Sequence, residues 1–109
     1  MNTSTMTSIV AGRVTADDIA RALRALLPDT HRALLFGSRA TGRAGDRSDW
    51  DSGIVGSTPL DGAILERIRE ALDSVPTLST FEVVDLSTVP AGFRDRALRE
   101  GIALELART

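Results

Sequence analysis

Two aspartates separated by one residue, Asp49 and Asp51, open a segment that continues through Ser52-Gly53-Ile54-Val55 and reads as a strand entering a core. Side chains at i and i+2 of a strand share a face, so both carboxylates point one way and Trp50 the other. Carboxylates held that close repel unless something cationic lies between them. Magnesium suits the position, because it takes oxygen ligands and is usually held by one or two carboxylates together with substrate phosphates. Ten residues separate Asp49 from Gly37-Ser38, where the apolar run Ala33 to Phe36 stops abruptly. Glycine lets backbone approach a phosphate closely, and a serine hydroxyl with free N–H groups at a helix start binds phosphate oxygens. Alone, Gly-Ser is an ordinary strand-ending turn and Asp-x-Asp an ordinary solvated strand face. Together they suggest metal-assisted phosphoryl or nucleotidyl transfer.

A third acid is available on the segment Phe81-Glu82-Val83-Val84-Asp85-Leu86. As a strand it places Phe81, Val83 and Asp85 on one face and Glu82, Val84 and Leu86 on the other. Only one of Glu82 and Asp85 can therefore join the metal face, and the residues alone leave the choice open. Arg39, Arg43 and Arg47 lie in the loop between the two halves of the pattern. Such arginines are usually solvated, but Arg39, beside Ser38, is best placed to neutralise triphosphate charge in a transition state. Arg94, Arg96 and Arg99 read as the outer face of the last helix or a partner contact. His31 stands at a strand entrance and reads as structural or solvent-facing. Trp50, turned from the carboxylates, reads as core or interface.

The run Gly37-Ser38, ten residues, Asp49-Trp50-Asp51 resembles the signature of the minimal nucleotidyltransferases, small members of the DNA polymerase β-like superfamily. Phe81 to Leu86 looks like the strand that carries that family's third acid, and Phe93-Arg94-Asp95-Arg96-Ala97-Leu98-Arg99-Glu100-Gly101 resembles its closing helix. The resemblance covers the chain from about Val14 onward. It implies the polymerase β-like fold, an α/β (α+β) arrangement with a small mixed β-sheet backed by helices. The family pattern apolar-acid-apolar-apolar places the functional acid at Glu82, with Asp85 as the fallback; many relatives carry Asp at that place. The implied activity is transfer of a nucleoside monophosphate, AMP from ATP, to an acceptor hydroxyl. Asp49, Asp51 and Glu82 would be the catalytic and metal-binding residues for two magnesium ions, and Gly37, Ser38 and Arg39 would bind the triphosphate. The implied partner is a separately encoded, all-helical HEPN protein, often an RNase toxin. The nucleotidyltransferase then serves as antitoxin, by binding the toxin and in some cases AMPylating it. Two rival readings are a non-catalytic antitoxin-type binding module and a small-molecule, antibiotic-type nucleotidyltransferase. The second is disfavoured because it needs another domain to shape its pocket.

The elements that must position these residues follow from length and pattern. With 109 residues the sequence reads as one domain, 14–109, after an N-terminal segment, 1–13, expected to be disordered. A formal charge of −2 gives no nucleic-acid footprint. All 13 cationic residues are arginine, which excludes a lysine nucleophile. The absence of cysteine excludes disulfides and thiolate chemistry and agrees with a cytoplasmic protein. No secretory signal or membrane span is apparent, and a homo-oligomer is left open. Thr15 and Asp18 predict a capping box opening a helix over Ala16 to Leu27, stopped by Pro28. Strands are expected over Arg32 to Phe36, Asp49 to Val55 and Thr80 to Leu86. Ser57-Thr58-Pro59 predicts the cap and first turn of a helix over Leu60 to Leu72, with Ile64, Leu65, Ile68 and Leu72 facing the core. A last helix, Ala91 to Glu100, ends at Gly101 as a C′ glycine, and Ile102 to Leu106 packs back on the sheet.

Overall fold

Thr15 begins the first helix as its sequence requires. Its side chain accepts the Asp18 N–H at 3.3 Å while the Asp18 carboxylate accepts the Thr15 N–H at 2.9 Å, a reciprocal cap. The computed structural model describes residues 14–45, 48–77 and 79–104. Expectations for residues 1–13, for Arg47 and for the chain beyond Leu104 lie outside the described residues. The element order is α1 (Ala16–Arg24), β1 (His31–Phe36), α2 (Ser38–Thr41), β2 (Trp50–Gly56), α3 (Gly62–Asp73), β3 (Phe81–Asp85), α4 (Ala91–Glu100) and β4 (Ile102–Ala103). The four strands form one mixed sheet in the order β3-β2-β1-β4, with β2 and β3 parallel and the other pairs antiparallel.

Period two divides this sheet into two unlike faces. On one, Ala33, Leu35, Trp50, Ile54 and Val83 pack with Ile19 and Leu23 of α1 and Ile68 and Leu72 of α3 as the main core. On the other, Leu34, Leu86 and Ala97 of α4 form a smaller cluster with Phe36, Val55 and Val84 at its margin. The second cluster covers only part of its face, and the acids stand beside it.

Strand ends move by one residue from the sequence expectation, and three larger differences each have a local reason. The first helix ends at Arg24, not Leu27, because the residue before Pro28 is pushed from helical geometry; Leu27 is nevertheless buried. The helix after β2 starts at Gly62, and its cap is Asp61, whose carboxylate accepts the Ala63 N–H at 2.8 Å. Ser57-Thr58-Pro59 is not the cap. The Thr58 carbonyl accepts from His31 Nε2 at 2.9 Å, and the Leu60 N–H donates to Asp85 at 2.7 Å, so this stretch is tied to the sheet before the helix begins. Gly101 closes α4 in extended geometry, φ −75° and ψ 159°, rather than as a left-handed C′ residue. Its need for glycine is space: a Cβ would stand 2.5 Å from the Ala97 carbonyl and 2.7 Å from Leu34 Cδ1.

Candidate active site

Gly37 turns the chain out of β1 with φ 72° and ψ −153°, a conformation L side chains rarely adopt, and serves as the N-cap of the short α2. The turn is also tight against the next strand. A Cβ on Gly37 would lie 2.4 Å from Asp51 Oδ2, so glycine is required twice over. Ser38 follows at once, half-buried, at the start of α2.

The sheet register then gathers the acids. Phe36 is paired with Asp51, and Asp51 with Glu82, so the end of β1, Asp51 and Glu82 lie side by side on one face. Asp49 precedes β2 by one residue, and its carboxylate accepts a short hydrogen bond from Thr80 Oγ1. Burial, then the neighbouring charges of Asp49 and Glu82, hold the Asp51 carboxyl above its ordinary value. Like charges are thus already felt across this face.

Asp85 stands on the other face, opposite Ile54, and is 5% exposed. Oδ2 accepts the Leu60 N–H at 2.7 Å; Oδ1 accepts the Ser87 N–H at 2.9 Å and the Ser87 hydroxyl at 2.7 Å. Burial pushes this carboxyl up, but the bonds from Leu60 and Ser87, with the His31 ring nearby, outweigh it and bring it below its ordinary value. Asp85 pins the β2–α3 loop; Glu82 is the acid brought to Asp51.

Arg39 is not brought to the acids. Its guanidinium carbon lies 4.1 Å from the Trp50 ring centroid, on the face of β2 opposite the carboxylates. Its Nη2 donates to the Ser48 carbonyl at 2.8 Å and to Ser79 Oγ at 3.3 Å. Packing and these hydrogen bonds hold the guanidinium on that face. His31 is structural: Nε2 donates to the Thr58 carbonyl, which leaves Nδ1 to accept the Thr30 hydroxyl at 2.9 Å. Trp50, 6% exposed, belongs to the core.

Sequence reasoning missed Thr80. Its signal was in the parity of β3: two residues before Glu82, it shares that residue's face and meets the residue two before Asp51. Beside Gly37, Phe36, Phe93, Arg96, Ala97 and Glu100 enclose a cavity of about 130 Å³, with Phe36 and Phe93 in edge-to-face contact at 5.6 Å. A larger cavity of about 420 Å³ lies toward the opposite end of β1, floored by Leu34, Val55 and Leu98.

The chemistry of the acid face fits a hard divalent cation: carboxylate oxygens only, mutually repelling, beside a turn that a phosphate can approach. Among the described residues, no three His, Cys, Asp or Glu side chains converge closely enough to hold an ion as they stand. Asp49 accepts the Thr80 hydrogen bond on Oδ1 alone.

Residues 19–106 match the family described as polymerase beta, nucleotidyltransferase. The chain belongs to that family. This nucleotidyltransferase domain is 33% identical over 73 residues to a probable protein adenylyltransferase MntA of Haemophilus influenzae, a match covering 67% of this chain and 63% of that relative. The match thus spans less than two thirds of the relative's length. The fold is also that of two solved toxin–antitoxin structures. One, with AMP-PNP, is 23% identical with a TM-score of 0.64, covering 87% of this chain and 76% of that chain. The other, a tri-AMPylated Shewanella oneidensis HEPN toxin in complex with MNT antitoxin, is 22% identical with a TM-score of 0.56, covering 83% of this chain and 68% of that chain. Among the described residues, no helix is long and apolar enough to cross a membrane.

Proposed function

We propose that this domain is a magnesium-dependent adenylyltransferase, moving AMP from ATP to a hydroxyl on a separately encoded HEPN-type toxin and so acting as its antitoxin. The observation that carries the reading is the register Phe36–Asp51–Glu82, which sets two acids beside the Gly37 turn on a partly open sheet face. The MntA relative and the AMP-PNP complex support the choice of adenosine nucleotide and protein acceptor.

In this reading Gly37 and Ser38 hold the β- and γ-phosphates. Asp49, Asp51 and Glu82 hold magnesium, which when bound supplies positive charge to the α-phosphate and the departing pyrophosphate. Glu82, an exposed residue of the acid face, accepts the proton of the acceptor hydroxyl. That oxygen bonds to the α-phosphorus as the bond to the β-bridging oxygen breaks, giving the AMP ester and pyrophosphate. Phe93, Leu98 and Ile102, 46%, 43% and 51% exposed, give α4 and β4 an apolar surface suited to a helical partner.

Incubation with ATP, magnesium and the product of the adjacent gene tests this. The expected result is a mass increase on the partner of one or more AMP units, lost in Asp49→Asn. Silencing of the toxin without mass change, equally by Asp49→Asn, would leave the contact-only antitoxin as the better account.

A further inference from the structure

Arg39, expected beside the triphosphate, makes contacts within the protein that point to a role of a different kind. It stands on the first turn of α2, immediately after Gly37-Ser38. From there its guanidinium lies over Trp50, the residue between the two aspartates, and Nη2 bridges the Ser48 carbonyl and Ser79 Oγ. Ser48 and Ser79 are the residues directly before Asp49 and Thr80, which are themselves joined by a hydrogen bond. The Trp50 N–H donates to the Thr80 carbonyl at 2.9 Å, so the two chain segments are already laced together one residue further on. A single side chain thus ties three things: the turn after β1, the entrance of β2 with its aspartates, and Ser79 at the entrance of β3, three residues before Glu82.

We infer that Arg39 is a positioning residue for nucleotidyl transfer, a clamp that fixes the Ser48–Trp50 and Ser79–Phe81 segments against each other and thereby sets Asp49 relative to Glu82 without touching substrate. The inference rests on the transfer reading above for its consequence in rate, and on the contacts alone for its consequence in structure. A flat guanidinium suits the place because it stacks on an indole and donates in the ring plane at once; a lysine ammonium keeps the charge and loses that shape. A displacement of the aspartates by an ångström is enough to cost about 100-fold in rate.

Arg39→Met and Arg39→Lys separate a clamp from a triphosphate ligand. Loss of a phosphate contact made in ground and transition states alike raises KM for ATP and leaves kcat. Loss of the clamp lowers kcat by roughly 10- to 100-fold with KM for ATP nearly unchanged, and lysine rescues poorly. Amide hydrogen exchange at Trp50, followed by NMR on the same proteins, reads the clamp without any activity: its protection should fall in both variants while that of Ile54, deeper in β2, stays. Unchanged exchange at Trp50, or a loss confined to KM, overturns the inference. If wild-type protein transfers no AMP while Trp50 protection falls as expected, the transfer reading fails and the clamp stands as a structural link.

Discussion

Glu82 and Asp85, three residues apart on one strand, meet opposite fates because they lie on opposite faces of the sheet. Asp85 faces the helix-covered side, where Leu60 and Ser87 satisfy its oxygens and bring its carboxyl below the ordinary value. Glu82 faces the partly open side, where Asp51 is its register partner and the charges repel. One face uses a carboxylate to complete the fold. The other concentrates carboxylates that the fold does not neutralise. Unneutralised charge beside a glycine turn suits something cationic, and the proposed function is placed on that face for this reason.

The comparison breaks most sharply with a pair of substitutions on β3. Glu82→Gln should lower AMP transfer by orders of magnitude with little change in unfolding midpoint. Asp85→Ala should do the reverse: it orphans the Leu60 and Ser87 donors and costs about 1–3 kcal/mol in urea denaturation, while folded protein keeps its activity. The opposite ranking would mean that the functional acid is Asp85.

Gly37→Ala comes next. The positive φ alone costs about 1–3 kcal/mol, and the new methyl meets Asp51 Oδ2. Both stability and nucleotide affinity should fall, whereas Gly42→Ala, also at positive φ but with nothing within 4 Å of its Cβ, should lower stability only. Equal loss of nucleotide affinity in the two would refute the close approach.

The smallest effect is in pH. A lowered carboxyl such as Asp85 contributes stability that is present above its unfolded pKa and lost as pH falls through its folded pKa. Asp51 has the opposite sign: its raised carboxyl makes the charged form the less favourable in the folded protein, so stability falls as pH rises through the interval from the unfolded to the folded pKa. In metal-free protein, Asp51→Asn should therefore raise the denaturation midpoint slightly at neutral pH and lose that advantage on acidification. Added magnesium should narrow the difference by stabilising the wild type.

Much of this was legible in the sequence because it depends on periods and short-range rules. Alternation placed Asp49 with Asp51 and split Glu82 from Asp85; the Thr15–Asp18 cap and the span of α4 followed from local residue types. The choice of Glu82 needed the family pattern, since alternation does not say which face of β3 meets Asp51. What escaped were contacts between segments distant in sequence. The contacts of Arg39 with Trp50 and Ser79 depend on the direction that one short helical turn gives the side chain, and the sequence does not announce that direction. The α3 cap moved to Asp61 because Asp85, twenty-five residues away, claims the Leu60 N–H. Gly101 was right in type and wrong in reason, since only packing shows how close Ala97 and Leu34 come.

The central claim is that the face bearing Asp49 and Asp51 is a cation-dependent nucleotide site. Calorimetric titration of ATP in magnesium into wild-type protein and into the Asp49→Asn, Asp51→Asn double variant tests it directly. Saturable, magnesium-dependent binding by wild type and its loss in a double variant that remains folded is the predicted result. Equal MgATP affinity in both proteins would contradict the account.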